Sequence, residues 1–212
     1  MSLSHVQLQT SRGTSSPRPP LRFLAMLTVA LATLAALTPV QGFAAANSLE
    51  YQVKAGFLFN FAKFVEWPGA ALAPGASVRL GIIAPDEVFG LIEKSLAGKV
   101  AGDRPLIVER LTAAQLENGS ALPNIIFVHQ DAFRAQAELG FSPAQLAALA
   151  EKQPVLLVGE SAGFATSGGM IGFVQRGENL RFQVNLASAQ RAGLKLSARL
   201  SGLAEIVTAP KP

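Results

Sequence analysis

The sequence predicts an α/β fold, a three-layer sandwich in which a largely parallel central sheet ends in a C-terminal antiparallel hairpin. Short apolar runs are typical of buried strands, and here they alternate with helical or turn segments: residues 78–83, 106–108, 125–128 and 155–158. Two further strand-like runs, residues 171–175 and 180–185, flank Arg176-Gly177-Glu178-Asn179 and therefore predict the hairpin.

Residues 1–46 are predicted to be a signal peptide. Before Glu50 the only formal charges are three arginines, and residues 23–37 are apolar apart from two threonines. This stretch of 15 residues is shorter than the roughly 20 that span a bilayer, so removal is expected rather than a retained anchor. Ala44-Ala45-Ala46 suits signal peptidase, and the absence of an Arg-Arg pair favours the general secretory route. We therefore expect a soluble periplasmic protein.

The remaining 166 residues, 47–212, are expected to form one domain because no repeat or long linker interrupts them. Removing the three arginines reduces the 18 basic residues to 15, which leaves a net charge of +1 against 14 acidic residues. Nucleic-acid binding is not expected, because it needs a basic face. The chain has no cysteine, so it forms no disulfide even though an oxidising compartment would allow one.

The first element of this domain is a predicted helix from about Leu49, ended by Pro68. One face carries an apolar stripe, which predicts packing against the core: Val53, Phe57, Phe61 and Phe64. Trp67 is expected to pack as well.

Two polar residues accompany this stripe. Asn60 lies near its centre and Lys54 at its margin, one turn after Glu50. An amide bonded to backbone and a snorkelling lysine paired with Glu50 are the expected roles, and a ligand contact is the alternative.

Capping signals place the other helices. Residues 87–96 are helix-like, and Ser142-Pro143-Ala144-Gln145 predicts a capping box with a first-turn proline. A short helix after the hairpin should stop at Gly193. Ser197 is predicted to cap a last helix with a core face of Leu200, Leu203, Ala204 and Val207.

No catalytic constellation is predicted. Residues 159–163 match the G-x-S-x-G pattern of serine esterases, but a glycine-rich stretch follows Ser161 instead of a helix, and no histidine follows it in the chain. A strand-to-strand loop is therefore expected. His129 is expected to be a strand-end residue, and neither a metal site nor a cofactor site is predicted.

The hairpin offers weaker binding candidates. Gly168 and Gly169 permit a positive φ or a close backbone approach, which serves either a turn or a ligand. Arg176, Arg181 and Asn185 are near them in sequence, and the second strand should present one polar face that includes Arg181 and Asn185. A small polar or anionic ligand on this face is one interpretation, and solvated arginines are the other.

Seven blocks of the sequence resemble the YfiR-like family, a periplasmic group labelled as a domain of unknown function. Residues 51–68, YQVKAGFLFNFAKFVEWP, resemble its opening signature, and residues 155–174, VLLVGESAGFATSGGMIGFV, resemble its glycine block. The other matching blocks follow in the same order along the chain: residues 80–90, 96–108, 124–129, 181–186 and 197–207. Together they cover nearly all of the expected mature chain.

The resemblance implies a central sheet between helices, a homodimer and a non-enzymatic repressor. Such a protein binds the periplasmic sensor domain of an inner-membrane diguanylate cyclase and lowers cyclic di-GMP until an envelope signal sequesters it. An outer-membrane lipoprotein is a further implied partner. The family's cysteine pairs are missing here, so a redox role does not transfer. The alternative is a small-ligand sensor that acts with another membrane receptor such as a histidine kinase.

Overall fold

The computed structural model describes residues 41–118, 122–132 and 142–208. Residues 44–212 form one compact unit by their contacts. Residues 1–40 of the predicted signal peptide lie outside the described residues, and the predicted cleavage point after Ala46 falls within the first described helix. Among the described helices, none combines the length and apolar character that a membrane span requires.

Helices and strands alternate along most of the chain, as predicted. The helices are α1 (Gln41–Phe64), α2 (Asp86–Leu96), α3 (Ala113–Asn118), α4 (Pro143–Glu151), α5 (Leu186–Arg191) and α6 (Ala198–Ser201). The strands are β1 (Val65–Glu66), β2 (Val78–Ile83), β3 (Val100–Ala101), β4 (Arg104–Arg110), β5 (Ile125–Val128), β6 (Leu156–Gly159), β7 (Ile171–Arg176), β8 (Asn179–Val184), β9 (Lys195–Leu196) and β10 (Glu205–Ile206).

Eight strands form the central sheet in the order β10-β8-β7-β6-β5-β2-β4-β3. The inner strands β4, β2, β5, β6 and β7 are parallel, whereas β7 and β8 form the predicted antiparallel hairpin, with Phe173 opposite Phe182. The chain leaves β2 towards β4 and then returns to place β5 on the other side of β2. The strand order therefore reverses between β2 and β5, which is the topological switch point of the sheet.

Helices cover both faces of this sheet. On one face, Phe57 and Phe61 of α1 pack against Phe173 and Phe182, and Arg110 of β4 lies over the ring of Phe89 in α2. On the other face, α4 packs against β6 and against α5. Parallel crossovers keep one handedness, so a reversal of strand order moves the helices to the opposite face. The predicted three-layer α/β class is confirmed.

Helix α1 differs from the prediction in its bounds and in its core face. It begins at Gln41 and ends at Phe64, because Val65 and Glu66 pair with β9 before Pro68 is reached. Val53 is 43% exposed, so its predicted place in the core is wrong. The face of α1 that packs on the sheet is rotated from the predicted aromatic stripe. Five apolar side chains on this face are buried: Tyr51, Ala55, Leu58, Phe61 and Ala62.

The end of the chain also differs from the prediction. Ser197 caps α6 by accepting the Leu200 N–H, as expected, but the helix ends at Ser201. The following residues form β10, which pairs in parallel with β8, and Leu203 is 64% exposed. A last helix continuing to Val207 is therefore wrong. The open edge of β8 offers backbone hydrogen bonds, and Val207 donates one to Val184.

The other helix signals are confirmed. The capping box of α4 is present between Ser142 and Gln145, and α2 begins within one residue of its predicted start. Helix α5 is followed by Gly193 at φ 74°, the left-handed conformation that glycine adopts at a helix end. Helix α3 and the two-residue strands were not predicted, because segments this short carry little periodicity.

Candidate functional site

The carboxyl ends of β2, β5 and β6 meet at one edge of the sheet, where α/β proteins bind ligands. A crevice of about 290 Å³ opens there between the segments that follow β2 and β5. We call it the switch-point crevice; its lining includes Glu50 and Tyr51 of α1, Glu87 and Val88 of α2, and His129 and Asp131 after β5. It therefore lies where the strand order reverses.

A buried carboxylate, Glu160, lies beside this crevice directly after β6. Its side chain is 4% exposed, and its Oε1 accepts two hydrogen bonds of 3.2 Å, from the Tyr51 hydroxyl and the Gln130 N–H, while His129 Nε2 lies 3.2 Å from the same oxygen. Its Oε2 accepts a hydrogen bond from Lys54 Nζ. Four polar groups from two separate segments, α1 and the residues after β5, thus converge on one side chain.

Lys54 joins this group from α1. Its side chain is 5% exposed, and its ammonium also pairs with Glu50 at 2.5 Å and lies 4.5 Å from the centre of the Tyr51 ring. The predicted pairing with Glu50 is confirmed, but the lysine does not snorkel to solvent. A buried ammonium needs carboxylate partners. Glu50 was the partner predicted from the sequence, and Glu160 is a second partner that was not predicted. We call Glu160, Lys54, Tyr51, His129 and Glu50 the Glu160 cluster.

His129 lies between two acidic residues. Its Nδ1 accepts the Asp131 N–H at 3.0 Å, and its Nε2 lies 3.2 Å from Glu160 Oε1. The prediction of His129 as a strand-end residue is confirmed, since β5 ends at Val128. Burial, reinforced by the charge of Glu160, raises the pKa of the Tyr51 hydroxyl well above its ordinary value. Tyr51 therefore remains a neutral donor.

These contacts give the Glu160 cluster a structural role. Tyr51, Gln130 and Lys54 all donate to Glu160, so both of its oxygens already act as acceptors and the side chain is held in place. The cluster ties α1 to the ends of β5 and β6 and forms one wall of the switch-point crevice. Within the described ranges, no group of three or more His, Cys, Asp or Glu side chains is arranged to hold a metal ion.

The predicted glycine positions lie elsewhere, in the loop between β6 and β7. Gly168 has φ 103°, which favours glycine, and a Cβ on Gly169 would lie 2.4 Å from the ring of Phe164. Asn185 is fully buried, so its predicted place on a polar face is wrong. It accepts the Ser188 N–H at 3.1 Å and donates to the Ala165 carbonyl at 2.9 Å, which caps α5 and holds the same loop.

The two predicted arginines are exposed and do not join these residues. Arg176 forms a two-point ion pair with Glu205 at 2.9 and 2.7 Å, which lowers the pKa of the Glu205 carboxyl, and Arg181 faces solvent one residue before Phe182. The structure therefore does not bring Gly168, Gly169 and the two arginines together into one ligand site.

The predicted residues of α1 line a separate groove. Asn60 is exposed and lies, with Phe57, Phe61 and Phe64, in a groove of about 210 Å³ between α1 and α6. Trp67 is half-buried and packs on the core, and its indole nitrogen has no hydrogen-bond partner among the described residues. Pro68 is exposed and accepts a turn hydrogen bond from the Ala71 N–H at 2.8 Å.

The G-x-S-x-G segment forms turns between β6 and β7, as the loop prediction required. The residue of this segment that forms the buried contacts with α1 is Glu160, the second residue of the motif, and not Ser161. A charged residue directly after a buried parallel strand is a signal for the binding edge of a sheet, and that signal was available in the sequence.

Comparison with known proteins gives a family match and a weak fold match. Residues 51–205 match the model of a family described as YfiR/HmsC-like. No curated protein matches the chain. A conserved domain protein from Vibrio cholerae O1 biovar El Tor is 11% identical over 64% of this chain and 56% of that one, with a TM-score of 0.45. An ABC domain from Streptococcus pneumoniae, solved in complex with L-Trp, is 14% identical over 66% of this chain and 57% of that one, with a TM-score of 0.46. The matches thus span little more than half of those two structures.

Proposed function

The chain belongs to the YfiR/HmsC-like family, and from this premise we propose that it is a periplasmic regulatory protein. It binds the periplasmic sensor domain of an inner-membrane diguanylate cyclase, represses the cyclase and so lowers cyclic di-GMP. The family match over residues 51–205 is the observation that carries this proposal. The action is by binding and not by catalysis.

Two features support this proposal. The basic and apolar leader predicts export, which would place the domain beside the sensor domains of membrane proteins. The Glu160 cluster favours a positioning role, because the carboxylate already accepts three hydrogen bonds and Tyr51 remains neutral. A homodimer and an outer-membrane lipoprotein that sequesters the repressor are the further expectations of this proposal.

Deleting the gene tests the repression directly. Cellular cyclic di-GMP, measured by mass spectrometry, should rise, and a plasmid copy of the full chain should restore it. A matched copy that lacks residues 1–46 should fold in the cytosol and fail to restore it, because the target domain lies across the membrane. Tagged protein captured from membranes should retain a cyclase. Unchanged cyclic di-GMP together with capture of no membrane sensor would contradict the proposal.

A second candidate function is favoured by the switch-point crevice. A crevice at the carboxyl ends of parallel strands suits a small ligand, and the chain would then be a periplasmic sensor that acts with another membrane receptor, such as a histidine kinase. Capture of a kinase in place of a cyclase, with unchanged cyclic di-GMP, would select this candidate.

A further inference from the structure

The switch-point crevice has an apolar wall formed by two helices. Tyr51 of α1 is 7% exposed and Val88 of α2 is 8% exposed, and both line the crevice with the half-buried Leu91. Its volume of about 290 Å³ is near the lower limit of small-molecule sites and suits a ligand of roughly ten heavy atoms. The crevice therefore has room for one small organic molecule and offers it a mainly polar lining with a small apolar wall.

The polar part of the lining carries one sign of charge. Glu50, Glu87 and Asp131 contribute carboxylates from three different segments, and no lysine or arginine is among the described residues that line the crevice. Two neighbouring cations are engaged by carboxylates: Lys54 pairs with both Glu50 and Glu160, and Arg110 pairs with Asp86. A ligand with a positive charge is thus favoured and an anion is repelled.

We propose that the switch-point crevice binds a small organic cation, a primary amine carried on an apolar body. The ammonium group lies among Glu50, Glu87 and Asp131, and the apolar body packs on Tyr51 and Val88. This assignment specifies the ligand class for the second candidate function and does not depend on which membrane protein is the partner. Bound there, the ligand bridges α1, α2 and the segment after β5, so it stabilises the positions of two helices on the same sheet face.

A matched set of three probes tests the ligand class. The exported protein, purified from the periplasm, is titrated with 2-phenylethylamine, with 2-phenylethanol and with 3-phenylpropanoate, which share the ring and differ in charge. The amine should raise the melting temperature in proportion to its occupancy and give saturable heat in calorimetry. The alcohol should bind at least about tenfold more weakly, since one charge contact accounts for roughly that factor, and the carboxylate should not bind.

Charge-removing variants locate the site. Glu87→Gln with Asp131→Asn should weaken amine binding by about tenfold or more, because each change removes one carboxylate from the lining. Glu93→Gln is the matched control, since it removes the same charge from an exposed position of α2 outside the lining, and it should bind the amine with unchanged affinity. Equal binding by the double variant and the wild type would overturn the assignment.

The probes also separate this proposal from the function on which it rests. No saturable binding of the amine at millimolar concentration would overturn the ligand assignment, as would equal binding of the alcohol. Tighter binding of 3-phenylpropanoate would overturn the amine class while leaving a sensor role intact.

Discussion

Removing the charge of Glu160 should destabilise the protein strongly. Glu160→Gln keeps the size of the side chain and an oxygen that can accept from the Tyr51 hydroxyl and the Gln130 N–H, but it leaves the Lys54 ammonium with Glu50 as its remaining carboxylate. Breaking a buried ion pair by removing one partner costs about 3–5 kcal/mol. Because Glu50 still neutralises Lys54 in part, we expect about 3 kcal/mol, a large share of a typical total of roughly 5–15 kcal/mol.

Urea unfolding measures this loss directly. The chain contains one tryptophan, Trp67, which packs on the core and therefore reports global unfolding by its fluorescence. With a slope of about 2 kcal/mol per molar urea, the midpoint of Glu160→Gln should fall by about 1.5 M. Glu151→Gln is the matched control, because Glu151 pairs with Arg191 at the surface, and it should cost about 1 kcal/mol or less.

A double-mutant cycle identifies the cause of the loss. Lys54→Met alone should also destabilise the protein, because it leaves the buried carboxylate of Glu160 without its cation. Lys54→Met combined with Glu160→Gln should cost clearly less than the sum of the single changes, since no unpaired buried charge remains. Additive costs, or a loss below about 1 kcal/mol for Glu160→Gln, would refute the assignment of Glu160 as the acceptor that holds α1 to the sheet.

Three further predictions concern the same framework. Tyr51 is the chain's single tyrosine and its pKa is raised by burial, so its phenolate absorbance at 295 nm should appear only with alkaline unfolding. The folded state keeps a proton that the unfolded state releases near pH 10, so stability falls as pH rises above 10, and non-cooperative ionisation of the native protein would refute this. Gly169→Ala should cost about 1–3 kcal/mol in urea unfolding because the new Cβ meets the Phe164 ring, whereas Gly56→Ala, in open space on α1, should stabilise by about 0.5–1 kcal/mol. Asn185→Ala should cost about 1–3 kcal/mol by loss of the cap of α5 and the loop hydrogen bond, and a midpoint within error of wild type would contradict that role.

Local patterns predicted the elements that depend on local physics. The apolar runs became β2, β5 and β6 almost residue for residue, because strands buried on both faces are continuous apolar runs. The hairpin and the cap of α4 followed from turn and capping chemistry within a few residues. The predictions failed for Val53 and Leu203, where an apolar spacing did not reveal which side of the helix or turn the sheet would cover.

The candidate site was predicted less well, because its residues are distant in sequence. Lys54 and Glu160 are separated by 106 positions, and only the register of β5 and β6 brings Glu160, Gln130 and His129 to the same edge. The sequence predicts that the polar residues of the hairpin share one ligand-binding face. In the structure, however, Asn185 lies at the start of α5 and is buried in the core. Side-chain alternation along a strand does not hold past the residue where the strand ends.

The sequence by itself predicted an export leader, and it determined the α/β class, the main strands and the family, since each depends on composition, on local periodicity or on motifs read in order. The tertiary structure alone decided that Glu160 binds Lys54 and that a crevice opens between β2 and β5. The physical reason is that charge pairing and crevices arise from the order in which strands join the sheet, and hydrogen bonds between distant segments leave no periodic signal in the chain.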